Sequence, residues 1–322
     1  MSVLSKSLIL FSFLLFLQSV EAKSFERRQR VIHIESDIDW NATWYNTKDG
    51  KKVSLDRVIK SLSSSKTGKL ILEKASLKAR SVGSTLREVI DVGNSSLTDT
   101  TLIRKFSPDN PADIHYQTKS KVYLNKGLSF KDAVLDLAHE LTHYSYRDPF
   151  NPYVSKFTVD QFVSSVIEGR GGEVDAYLIE CRVLKELKPR SFSSSSNCKN
   201  VIDPITGKFS KQLGIEKFYD VGQYFGDFDE ILNKYGWDKT RFPKLGKGEA
   251  LYISSAYGLP YPVAALSEFT TIMGKACEND YNRLAMMRDG LSTNSRFPAS
   301  VAHGKFKNLY ASYKTRCSQF RP

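Results

Sequence analysis

Apolar residues recur at helical spacing through Phe130, Val134, Leu137, Leu141 and Tyr144, which predicts a helix over 129–147 with one face in the core. Ser129 and Asp132 form a capping pair at its start, Gly127 breaks what precedes it, and Pro149 and Pro152 halt it. Upstream, 53–62 and 69–79 carry the same helical spacing, and 31–34 is β-prone. Residues 101–106, 114–117 and 121–124 read as three short strands, with a turn at Pro108, Asn110 and Pro111 between the first two. Downstream, 159–187 keeps helical spacing across Gly169-Arg170-Gly171-Gly172, so it is either one helix with a glycine patch or two helices with a break. Strong breaks at 246–248 and 258–262 precede a further helical stretch at 263–287. Together these elements make an α+β chain whose strands lead straight into the 129–147 helix.

That helix contains His139-Glu140-Leu141-Thr142-His143. Side chains four apart on a helix lie one above the other, so the two imidazoles project from one face and can close on one metal ion, with Glu140 offset beside them. Two neutral nitrogen ligands, an adjacent base and room for a water make the H-E-x-x-H arrangement of zinc hydrolases. A catalytic zinc takes three protein ligands. No further histidine follows at 144–147, and His33, His115 and His303 have no helical partner near them. Each glycine costs a helix about 1 kcal/mol relative to alanine, so a patch of them needs a reason; close approach to the histidine helix would be one. Glu173, next to that patch, is the favoured third ligand, with Glu168 and Glu180 as alternatives on much the same face. Asp136 and Asp175 are candidate acceptors for the outer ring N–H groups, and His303, Tyr257 and Tyr261 are candidate oxyanion donors.

Composition adds compartment and surroundings. A chain of 322 residues, 41% hydrophobic and 12% aromatic, can fill a core. Its formal net charge of +12 suits anionic surroundings such as a cell-wall or surface polymer, although basic residues spread over solvated faces are the better account of it. No Gly-rich phosphate loop, RNA-binding aromatic signature or Cys/His finger spacing points to nucleic acid. Lys6, the apolar run at 8–17 and the small residues at Val20-Glu21-Ala22 read as a cleaved secretory signal over 1–22, giving a secreted or periplasmic protein with no transmembrane segment in the mature chain. Residues 26–30 are a charged start to that mature chain. Four cysteines then suit two disulfides with three possible connectivities, and the expected one pairs Cys181 with Cys198 around a Ser-rich loop and Cys277 with Cys317 at the C-terminal tail.

Over about residues 101–188 the chain resembles the zincins, specifically the gluzincin type, in which a second helix some tens of residues after H-E-x-x-H carries a glutamate ligand. The matching positions are His139, Glu140, His143 and Glu173, and Ala176 completes an E-x-x-A pattern. Tyr177 stands where the thermolysin-like pattern has an aspartate. The resemblance implies a zincin-like fold: a small mixed sheet packed on the active-site helix, with a mainly helical C-terminal part. It further implies an exported zinc metallopeptidase acting on protein or peptide substrates, with Glu140 as the general base on a water at the metal. Residues 101–322 are then the catalytic domain, and 23–100 are an N-terminal region that is either a prodomain or part of that domain. Two other readings share the residues: a non-catalytic cell-surface or cell-wall binding protein with a structural zinc, and an amide hydrolase directed at peptidoglycan.

Overall fold

The computed structural model describes residues 38–107, 110–153, 157–194, 196–292 and 299–320. The secretory leader expected at 1–22, the charged segment at 26–30 and the β-prone 31–34 lie outside the described residues. Trp40–Pro322 form one compact unit, which carries everything below.

Two helices open this unit, α1 (Gly50–Ser63) and α2 (Lys66–Ser81). Leu55, Val58 and Leu62 of α1 and Ile71, Leu72, Ala75 and Ala79 of α2 are buried. The joint between them is tight. Ser65 caps α2 by accepting from the Gly68 N–H at 2.8 Å, and a Cβ at Gly68 would fall 2.1 Å from the Leu62 carbonyl oxygen. The short α3 (Leu86–Val89) leads into β1 (Ile90–Gly93), then β2 (Leu97–Ser107) and β3 (Asn110–Asn125).

The sheet order is β1-β3-β2, with β1 parallel to β3 and β2 antiparallel to it. The three expected strands therefore rearrange. Those at 114–117 and 121–124 are one continuous β3, β2 is longer than its apolar stretch, and β1 is an addition. The cause is burial: His115, Tyr116, Gln117, Thr118 and Lys119 are exposed, so the ladder to β2 rather than an apolar face holds this part of the strand. Among the β3 side chains described, those that turn into the core are Val122 and Leu124, near the strand's end.

Helix α4 (Phe130–Tyr146) packs on this sheet and on α1 and α2. Its start is capped as expected: Ser129 Oγ accepts from the Asp132 N–H at 3.1 Å and donates to the Asp132 carboxylate at 2.6 Å. Its buried stripe, Phe130, Ala133, Val134, Leu137, Ala138 and Leu141, explains why so short a segment holds its shape. Arg147 turns to extended backbone (φ −75°, ψ 130°) and ends it before the prolines. The 159–187 stretch is two helices, α5 (Val159–Ile167) and α6 (Glu173–Leu187), and α6 lies against α4.

The remainder is helical: α7 (Pro189–Ser194), α8 (Ser196–Lys199), α9 (Lys211–Phe218), α10 (Phe225–Tyr235), α11 (Tyr261–Ser292) and α12 (Ala299–Cys317). The fold is thus a small mixed sheet on a central helix with a mostly helical C-terminal part. Both expected disulfides are present, Cys181–Cys198 joining α6 to α8 and Cys277–Cys317 joining α11 to α12. A buried ionic knot ties β2 to the same pair of helices, since Asp280 of α11 is held by Arg104 and Arg316. Among the described residues no helix is long and apolar enough to cross a membrane.

Candidate metal centre

His139 and His143 stand one turn apart on α4, ring centroids 4.7 Å from each other. Glu173, the first residue of α6, brings its Oε2 to 3.2 Å from Nε2 of His139 and 3.3 Å from Nε2 of His143. Donors held about 2.0–2.2 Å from a tetrahedral ion lie roughly 3.3–3.6 Å apart, so these spacings leave room for one cation among the three atoms. His139, Glu140 and His143 also offer ligand atoms within 4.8 Å of one another. This is the arrangement of a gluzincin-like H-E-x-x-H site. No family model matches the chain, and no curated protein or solved structure is significantly similar to it.

The outer ring nitrogens fix which atoms face the gluzincin-like site. Nδ1–H of His143 donates to the Gly171 carbonyl at 2.8 Å, which leaves the Nε2 lone pair free for a cation. His139 turns Nδ1 to Glu180 Oε2 at 3.4 Å. The expected acceptors, Asp136 and Asp175, are occupied elsewhere. Asp136 bonds to Ser96, and burial pushes its carboxyl up to about 6. Asp175 accepts from the Gly171 N–H at 3.0 Å and pairs with Lys211 at 2.7 Å, so it shapes the turn that carries the His143 acceptor. A backbone carbonyl has no sequence signature, which hid Gly171; Glu180 was legible as a carboxylate two turns after Glu173 on one face.

The glycine patch has the reason its cost demanded. Gly171 has φ +69°, and a Cβ there would come within 2.7 Å of Tyr146 Cβ and 2.8 Å of the Arg147 nitrogen. Only glycine lets the α5–α6 turn press against the end of α4 and aim its carbonyl at His143. The other proposed ligands separate cleanly. Glu168 lies apart, bound by Lys244, by the Tyr219 hydroxyl at 3.0 Å and by Ser164 at 2.9 Å, whereas Glu180 meets the back of the His139 ring rather than its Nε2.

Charge in the cluster follows from its geometry. Burial alone would depress the His139 imidazole, but its bonds to Glu173 and Glu180 outweigh that and raise it well above the ordinary histidine value. Burial likewise pushes Glu173 up, and the two histidines more than reverse it. The carboxylate therefore stays ionised and the site draws positive charge. Glu140, also buried, has Oε2 held at 2.8 Å by the Thr98 hydroxyl of β2.

The cluster lies in a cleft of about 630 Å³, walled by residues 96–102 around β2, by α4, by the loop after α4 and by α11. Of the candidate oxyanion donors, Tyr257 and Tyr261 line this cleft and His303 does not. Tyr261 is the better placed, half-buried, stacked on Phe218 at 5.1 Å and hydrogen-bonded to Glu173. Burial and the surrounding carboxylates push its phenol well above the usual tyrosine value, so it stays a donor.

Proposed function

We propose that this chain is an exported zinc-dependent metallopeptidase in which His139, His143 and Glu173 hold the metal and Glu140 is the general base. The observation that carries this reading is the single carboxylate oxygen of Glu173 shared between two Nε2 atoms, at 3.2 and 3.3 Å. Two imidazoles with one carboxylate favour zinc over the oxygen-seeking magnesium and calcium. When bound there, zinc would polarise a scissile carbonyl and acidify a water.

The chain's own groups do the rest. Glu140 takes the proton of the attacking water and passes it to the leaving amine, and the Thr98 hydroxyl sets the orientation of its carboxylate. The Tyr261 hydroxyl donates to the carbonyl oxygen as that oxygen gains charge. Since β2 is an edge strand beside the cleft, its free backbone groups suit an extended peptide laid alongside them. The unit Trp40–Pro322 acts as the catalytic body once the leader at 1–22 is removed, and the packing of α1 and α2 on α4 supports including them in it.

Incubating the mature protein with a denatured protein and, separately, with purified cell wall tests the reading. Cleavage of the denatured protein is expected, lost on adding a chelator and restored by stoichiometric zinc. Chelator-insensitive cleavage, or chelator-sensitive product from the cell wall alone, would contradict it.

A further inference from the structure

One wall of the cleft is a single face of α11. Tyr261, Ala264, Ala265, Glu268, Thr271 and Lys275 all line it, at the three- and four-residue steps of one helical stripe. The two alanines are buried and lack reach, so between the Tyr261 hydroxyl and Glu268 that wall is recessed. Seven residues of helix place Glu268 about 10 Å along the axis from Tyr261. Its carboxylate is still near enough to feel the charges of Arg147, Glu173 and His143.

Glu268 has no hydrogen bond or ion pair among the described residues. Arg147, whose charge acts on Glu268, directs Nη1 toward Glu173 Oε1 at 4.0 Å instead. Glu168, Glu173, Glu180 and Asp280 are all held by protein partners. The Glu268 carboxylate is half-buried, faces the cleft and is paired with no cation among the described residues, so on a chain of net charge +12 it stands open to a positively charged group entering the cleft.

We propose that Glu268 is a specificity-determining residue that binds a cationic group of the substrate, close to the bond that is cut. An extended peptide advances about 3.3 Å per residue, so that group belongs to a residue within roughly three positions of the scissile bond. An ammonium or guanidinium supplies the chemistry, and it comes either from a Lys or Arg side chain or from a free amino terminus. The inference rests on the peptidase reading of the same site.

The test uses zinc-loaded protein and quenched peptides in two arms. One places Lys at successive positions in peptides with blocked ends; the other compares neutral peptides with free and acetylated amino termini. In one arm the cationic member should be cleaved at least about tenfold better, as for a charge-assisted hydrogen bond in a shielded site. Glu268→Gln should erase that preference while leaving cleavage of the neutral peptides and the zinc content unchanged, and Glu268→Lys should reverse it. Binding of the same peptides to the Glu140→Gln protein, with and without Glu268→Gln, is measured in parallel. Cleavage with no charge preference, or a preference that survives Glu268→Gln, overturns this inference and leaves the peptidase intact. Absent cleavage with a Glu268-dependent preference in binding supports the cation subsite and removes the peptidase. Neither cleavage nor preferential binding overturns both.

Discussion

Replacing Glu140 with glutamine should lower kcat/KM for peptide hydrolysis by about 10²- to 10⁴-fold, the range that positioned general bases contribute, while zinc uptake is unchanged. Glutamine keeps the size of the side chain and can still accept the Thr98 hydroxyl's hydrogen bond at the Oε2 position, so the packing between β2 and α4 survives. What disappears is the ability to take a proton from water. The variant separates the roles within the motif, because the Glu140 carboxylate is held by the Thr98 hydroxyl while Glu173 Oε2 lies within 3.3 Å of both Nε2 atoms. Steady-state hydrolysis together with metal analysis of the same preparation checks it. Normal turnover by Glu140→Gln would remove the base from the mechanism, and loss of zinc would move Glu140 among the ligands.

Removing Glu173 should have the second large effect, this time on the metal. Glu173→Ala takes away the carboxylate oxygen that lies 3.2 and 3.3 Å from the two Nε2 atoms, and zinc affinity should fall by well over about 100-fold. Glu180→Gln makes the informative contrast. Its carboxylate supports the His139 ring from behind at 3.4 Å, so its loss should cost only about 10- to 100-fold, the usual penalty for an outer partner. Titration of metal-free protein with zinc against a competing chelator ranks the two. Equal losses would mean that Glu173, like Glu180, only orients a ring. Thermal unfolding of both metal-free variants distinguishes lost ligation from lost structure.

Local signals made the core of this site legible in the sequence. Cap, apolar stripe and histidine spacing all lie within one helix, so α4 and its imidazole pair follow from neighbours in the chain. Glu173 was reachable because the glycine patch beside it demanded a close backbone approach, and Gly171 shows that approach at the end of α4. The disulfides followed from the segments they enclose. Features decided by distant contacts were not legible. Residues 114–119 carry no buried face, so nothing in their pattern shows that β3 runs through them. β1 exists because four residues find β3 as a parallel partner, and α1 and α2 find α4 only in three dimensions. The choice of Tyr261 over His303, and of a main-chain carbonyl over Asp136 or Asp175, likewise depends on where α11 and the α5–α6 turn come to rest.

X-ray absorption at the zinc edge on the reconstituted protein addresses the centre most directly. One zinc per chain is expected, coordinated by two imidazole nitrogens and a carboxylate oxygen at about 2.0–2.2 Å, with a further light-atom ligand from solvent. The imidazole signature should weaken in His143→Ala and the metal should be lost from Glu173→Ala. A bound zinc with fewer than two imidazoles around it, or one whose surroundings are the same in both variants, would contradict the account.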